Sequence, residues 1–440
     1  MNAGEHSVFK RLSRICFVFV AVLAASAPAS MPASAMAECG GEKMAAPAMD
    51  AAQVEAWSGD LAVFHKELEL RHIDLYHGID RNSFAADLAA IKGALPSMNE
   101  DEAIVALMRL TRRVGDGHTS VPLWNGAQCR FPVEFRMIEG SAYVTGASGA
   151  QAHLLGSKLI SINGHSASKV IGDLSSVVAF AENPYSTALR TGQQLPNAEI
   201  LSGLGIVDPT GMSTFAFESQ NKRVVVRLSP STEDGATTRL SLGNKHFADR
   251  IEGDDRLWFA SEDNGRSVYV GFRRYPAQAA MAVFAQKLLE YINKNDTKNL
   301  IIDLRANSGG DFFTGLMLAQ RLVLADGLDW KSGIFVLTDN ETFSAAMSNA
   351  AQFSQLLNAK RIGQPTGGKP SGYQDMGEFS LPGSGLTITY SKRLYHFDGR
   401  ELDTLRPDIL VEVTIDDYLN GHDPALERVL VELPKPGALN

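Results

Sequence analysis

Cysteine is scarce in this chain, with three residues in 440. Neither Cys39 nor Cys129 has a second cysteine or histidine at ligand spacing, which excludes a Cys/His zinc site. Positive charge is also in deficit. The 41 lysines and arginines face 50 aspartates and glutamates, and no basic stripe is visible. That balance excludes nucleic-acid and anionic-membrane binding as primary roles. Long apolar runs are missing as well: Ile15-Cys16-Phe17-Val18-Phe19-Val20-Ala21-Val22-Leu23 is too short to cross a bilayer permanently. Against these absences stands an ordinary globular composition, 45% hydrophobic and 21% charged. The length accommodates roughly two to four domains.

The N-terminus reads as an export signal. Lys10, Arg11 and Arg14 lead into the short apolar run, and Ala35-Met36-Ala37 supplies small residues for cleavage near Ala37. Glu38 before Cys39 disfavours a lipid-anchored cysteine. Removing residues 1–37 takes three basic groups and Glu5, leaving a formal charge of −11 and two cysteines. In the oxidising compartment that export implies, periplasmic or extracellular, Cys39 and Cys129 either pair or both stay free. No integral span remains once the signal is gone.

Residues 38–52, rich in Ala, Gly and Pro, read as a flexible lead. From 53 to 120 the pattern is helical. Trp57, Leu61, Phe64 and Leu68 recur at three to four residues, as do Phe84, Leu88, Ile91 and Leu95. Asn99 or Asp101 is placed to cap a third helix carrying Ile104, Leu107, Met108 and Leu110. His65, His72 and His77 fall in this segment at spacings that match no metal-ligand pattern, so they read as packing or solvent-facing residues. Residues 121–245 change to short alternating strands, with a tight turn at Asn163-Gly164 and one helix near 168–176. From 246 to 435, near-continuous apolar strands alternate with helices: strand 267–272, helix 277–293, strand 299–304, helix 312–325, then further strands around 386–391 and 409–413. That alternation predicts an α/β layer with a covered sheet.

The most chemically suggestive stretch is Thr342-Phe343-Ser344-Ala345-Ala346, reached through the apolar run 333–338. It predicts a buried strand delivering a serine to the first turn of a helix, where free N–H groups favour a developing anion. Four other stretches bear on it. Gly115-Asp116-Gly117-His118-Thr119 puts an imidazole on a loop after a helix. Asp303-Leu304-Arg305-Ala306-Asn307-Ser308-Gly309-Gly310 ends a buried strand in a Gly-Gly pair suited to turning N–H groups toward one point. Gly363-Gln364-Pro365-Thr366-Gly367-Gly368-Lys369 only superficially resembles a phosphate loop, because Pro370 stands where a serine or threonine is needed. The last stretch runs from Asp398-Gly399-Arg400-Glu401 to Leu405-Arg406-Pro407-Asp408. A decoy, Gly164-His165-Ser166-Ala167-Ser168, lacks the second glycine of a nucleophile elbow.

Together and in order these stretches resemble the C-terminal processing (tail-specific) peptidase family, which also includes the catalytic core of tricorn protease and the retinoid-binding repeats of interphotoreceptor protein. The resemblance covers about residues 55–430. It rests on Asp116–Thr119, on Asp303–Gly310, on Thr342–Ala346 followed by Met347 where glutamate is usual, and on Glu401, Pro407 and Asp408. It implies an α/β, crotonase/Clp-protease-like ββα core domain, with an N-terminal helical segment and a β-rich, PDZ-like middle module. The implied activity is a serine-type endopeptidase acting on peptide or protein substrates without metal or other cofactor. Ser344 is the implied nucleophile, and Gly309, Gly310 and Ala345 the implied oxyanion donors. Two bases are on offer. Lys369, 25 residues after Ser344, fits a Ser–Lys dyad. His118 with Glu401 fits a tricorn-like relay, which is favoured because a histidine needs no large pKa shift to act near neutral pH. A non-catalytic carrier of lipophilic ligands or peptides on the same fold is the alternative.

Overall fold

Three capped helices open the fold. Asp50 and Gln53 form a capping box at the start of Ala51–Arg71, Asp80 caps Arg81–Ala94, and Asn99, with Glu102, caps Glu100–Val114. The third ends at Gly115, whose φ of 96° is the left-handed conformation that releases the chain into the Asp116–Thr119 loop. The computed structural model describes residues 39, 47–124, 128–208, 211–232, 237–397 and 402–433. The expected export signal, most of the expected lead and the Asp398–Glu401 stretch lie outside them.

The alternating strands after 131 build an antiparallel sheet in the order Val133–Ile138, Ser141–Ala147, Lys158–Ile162, Ser213–Ser219, Lys222–Leu228. Asn163 and Gly164 both take positive φ, 47° and 83°, as the tight turn requires. Ser166 is an exposed helix cap, its hydroxyl accepting the Lys169 N–H, so the decoy serine is structural. This sheet shares one core with the opening helices. Phe64, Leu68 and Phe84 pack in the same cluster as Val144, Phe215 and Phe217.

The second sheet runs Ile409–Leu410, Lys360–Gly363, Ile334–Thr338, Asn299–Asp303, Ser267–Phe272, Leu257–Glu262, Arg250–Gly253. Its first five strands pair in parallel, and both faces are covered. Helices Gln278–Asn295, Phe312–Leu322 and Ala345–Leu357 pack on one side, and Pro424–Glu432 covers Tyr269, Ile301 and Phe335 on the other. That double burial explains the uniformly apolar strands. A hairpin of two ten-residue strands, Ser371–Ser380 and Thr387–His396, stands apart. Its first strand went unread in the sequence because Gly372 and Gly377 argue against a strand, and its second is longer than the 386–391 expected.

Candidate active site

Ser344 leaves the strand Ile334–Thr338 through a short turn and occupies the N-cap position of Ala345–Leu357. Its backbone sits at φ 48°, ψ −125°, a conformation costly for any residue with a Cβ. The surroundings impose it. The Phe343 N–H donates to the Asn307 carbonyl at 3.1 Å, and the Thr342 carbonyl accepts the Gly367 N–H at 3.1 Å. Thr342 Oγ1 donates to the Leu304 carbonyl at 2.9 Å. The Asn307 side chain extends this brace, donating to the Phe272 carbonyl at 2.8 Å.

Nε2 of His118 lies 3.2 Å from Oγ of Ser344. The imidazole is buried and stacks on Phe343, ring centres 5.3 Å apart. Asp116 shapes its loop. Oδ1 accepts the N–H groups of His118 (2.9 Å) and Thr119 (2.8 Å) and the Ser391 hydroxyl (2.7 Å), and Oδ2 accepts Thr119 Oγ1 (2.9 Å). Burial alone would raise the Asp116 carboxyl. The hydrogen bond and charge of His72, then the Ser391 hydroxyl, instead hold it well below the usual carboxylate range. Gly117 is required by contact, since a Cβ there would stand 2.8 Å from Phe343 and 3.0 Å from Glu182.

Burial pushes His118 below its ordinary 6.5, with the Asp116 charge opposing. The imidazole is therefore neutral and ready to accept a proton at pH 7. The Tyr373 carbonyl lies near the ring, but buried Nδ1 makes no hydrogen bond among the described residues. The residue expected to orient Nδ1, Glu401, lies outside them.

The expected oxyanion donors divide. The Gly309 N–H is already donated to Asn307 Oδ1 at 2.9 Å, so Gly309 serves by shape: at φ 108° it leaves room where a Cβ would stand 2.8 Å from that of Ser344. Among the described residues the N–H groups of Gly310 and Ala345 meet no acceptor.

Lys369 falls elsewhere. Its Nζ is 3.8 Å from Asp403 Oδ1, and it lines a cavity with His77, Glu182 and Tyr373 rather than the cleft that contains Ser344. A residue missed in the sequence links the two loops. Glu182, fully buried, accepts the N–H of Gly117 at 3.2 Å and of Lys369 at 2.9 Å. Burial, with the nearby Asp116 charge, pushes its carboxyl up to about 7, against the pull of those two amides. Nothing in the run 179–182 marked this glutamate as buried. His72, His77 and Asp116 bring ligand-type atoms within 4.8 Å of one another. Hydrogen bonds already occupy His72, however: Nδ1 accepts the Asp74 N–H, leaving Nε2 to donate to Asp116 at 3.0 Å.

Ser344 opens onto two hollows. One, of about 710 Å³, is walled by Trp124, Phe180, Arg190 and Phe343. The other, of about 450 Å³, is walled by Phe312, Phe313, Tyr395 and Phe397, with Lys392 and Arg393 beside them. The two hollows share Ser344 and Gly310 in their walls.

Residues 269–411 match peptidase family S41. The matched stretch carries Asp303–Gly310 and Ser344. Mature CPAF shares the fold across 87% of this chain and 97% of its own, at 13% identity and a TM-score of 0.62. The photosystem II D1 C-terminal processing protease is also similar, at 12% identity over 83% of this chain and 94% of its own, TM-score 0.42. Tricorn protease matches 85% of this chain with 36% of its own, at 12% identity and a TM-score of 0.39. No curated protein matches in sequence. The mixed α/β fold expected from the motifs is thus established, and the match over residues 269–411 agrees with the peptidase family that those motifs resemble.

Proposed function

We propose that this chain is an exported serine endopeptidase of the tail-specific kind, cleaving peptide bonds by acyl transfer through Ser344 with His118 as base. The observation that carries the reading is the 3.2 Å approach of His118 Nε2 to Ser344 Oγ. Oγ attacks the scissile carbonyl as Nε2 takes its proton. The N–H groups of Gly310 and Ala345 receive the oxyanion, and His118 then protonates the leaving amine. Water repeats the sequence to release the acyl group. Glu401 is assigned to His118 Nδ1, which has no hydrogen-bond partner among the described residues. Lys369, turned toward Asp403, is assigned no proton transfer.

Residues 1–37 are assigned as the signal, 53–120 as the helical segment, 121–245 as a PDZ-like module that tethers substrate, and 246–435 as the catalytic core. The pairing of Cys39 with Cys129 supports an oxidising, periplasmic or extracellular destination. No described helix is long and apolar enough to cross a membrane.

A fluorophosphonate probe tests the assignment. Wild type labels and Ser344→Ala does not, and peptide hydrolysis falls by about four to six orders of magnitude in that variant. Replacing His118 with Ala removes most activity, whereas Lys369→Ala retains it. The opposite pattern assigns the base to the lysine. A protein that neither labels nor cleaves, yet takes up a lipophilic ligand stoichiometrically, is the carrier of the alternative reading.

A further inference from the structure

Arg190 is the anomaly in the larger hollow beside Ser344. It belongs to the helix Pro184–Gln194, lines the hollow with His118 and Ser344, and lies over the rings of Phe180 (5.9 Å) and Phe343 (5.8 Å). Nη1 donates to Gln193 Oε1 at 2.8 Å. Nε is buried without a hydrogen-bond partner, and among the described residues the guanidinium forms no ion pair. The other charges nearby are committed. Asp375 pairs with Lys392 and Arg393, each at 3.1 Å. Glu341 stands 3.9 Å from Arg136 and reaches Arg190 only as a field. A second orphan, Gln194 Oε1, belongs to the same wall.

A desolvated guanidinium without a counter-charge is unfavourable, and a bound chain that expels water from the hollow makes it more so unless the chain brings an anion. Nε and Nη2 form one edge of the planar fork, the geometry that grips both oxygens of a carboxylate. Phe180 and Phe343 fix the plane of that fork, and Phe343 directly precedes the nucleophile. Gln194 Oε1 is an acceptor suited to a substrate N–H.

We propose that Arg190 determines specificity by receiving a carboxylate of the peptide substrate inside the Ser344 hollow. The inference rests on the peptidase reading above and adds its substrate class: peptides with a carboxylate at a fixed distance from the cleaved bond, either an Asp or Glu side chain or the free C-terminus.

The test starts from cleavage sites mapped by mass spectrometry in a digest of denatured proteins, followed by matched synthetic peptides. In one arm Glu is replaced by Gln at each position around the cleaved bond, and in the other the C-terminal acid is replaced by an amide. One of these changes lowers wild-type kcat/KM by about 30-fold or more, and the arm that responds identifies which carboxylate Arg190 binds. In Arg190→Gln the same peptide pair differs by less than about 3-fold, and Arg190→Lys, which keeps charge but loses the fork, falls between. Fluorophosphonate labelling of Ser344 reports that each variant is folded.

Equal turnover of acid and neutral peptides by wild type overturns the proposal, as does a preference that survives in Arg190→Gln, while labelling and cleavage leave the peptidase reading intact. Should wild type neither label nor cleave, that reading fails separately. Calorimetry of the acid and neutral peptides on Ser344→Ala then decides the matter: equal or absent binding overturns the carboxylate site, and binding of the acid alone, lost with Arg190→Gln, sustains it.

Discussion

Glu182 accepts the backbone N–H of Gly117 at 3.2 Å, tying the residue before His118 to a fully buried carboxylate. Its other oxygen holds Lys369 N–H, so both oxygens must accept. In Glu182→Gln one amide faces an NH2 group instead. Kcat/KM is expected to fall roughly 10- to 100-fold, with a stability loss of about 1–3 kcal/mol. Steady-state kinetics and denaturant unfolding check both numbers.

The same carboxyl gives stability a pH dependence. Burial raises its folded-state pKa from 4.5 to about 7, so the folded chain favours the protonated form more than the unfolded chain does. That contribution is complete below about pH 4.5 and is lost as pH rises toward 7, on the order of 3 kcal/mol in all. Subtracting the Tm-versus-pH curve of Glu182→Gln from that of wild type isolates the slope, which vanishes if the carboxyl titrates normally.

The rate should carry a different titration. The proposed mechanism uses His118 as base in its neutral form, and burial lowers its pKa from 6.5. The acid limb of kcat/KM is therefore expected to have its midpoint below pH 6.5, because the free enzyme's base sets that limb. A midpoint above pH 7 points to an amine base and to Lys369.

Gly309 is expected to be irreplaceable for a steric reason. Alanine there meets a φ of 108° and places its Cβ 2.8 Å from Ser344 Cβ and 3.1 Å from the Ala345 nitrogen. Nucleophile and oxyanion donor are displaced together, so kcat should drop by about 100-fold or more. The protein remains folded, with about 1–2 kcal/mol lost to backbone strain. Circular dichroism beside kcat separates the two effects.

The Cys39–Cys129 bond closes a sequence separation of 90 residues. Cys129→Ser should lower unfolding stability by about 2–4 kcal/mol. Dithiothreitol on wild type should reproduce the loss and have no effect on the variant, as read from the denaturant midpoint.

Local signals in the sequence were read well where local physics decides. Asn163-Gly164 demanded its turn, Asn99 its helix, and the apolar run before Ser344 its strand. Charged residues whose role depends on distant packing were not legible. Glu182 and Arg190 look like ordinary loop and helix residues until the hairpin, the Asp116 loop and Phe343 close over them. Lys369 is the converse case, its Nζ lying beside Asp403. Its spacing from Ser344 matched a known dyad, but residue spacing along a loop does not specify on which side the side chain emerges. The Gly-Gly pair was legible as a bend, while the capture of the Gly309 amide by Asn307 depends on an asparagine side chain held by Phe272.

The bridge between Ser120 and Thr389 ties the loop that carries His118 to the hairpin. Their backbones exchange hydrogen bonds of 3.3 and 2.9 Å, and their hydroxyls meet at 2.8 Å, across 269 residues. The loop that presents His118 is thus anchored to a strand synthesised after Ser344. A ribosome that has just completed the nucleophile has made the imidazole long before, yet the strand that anchors the imidazole's loop is still to come. Truncation before Thr389 should therefore leave both groups present and the reaction absent.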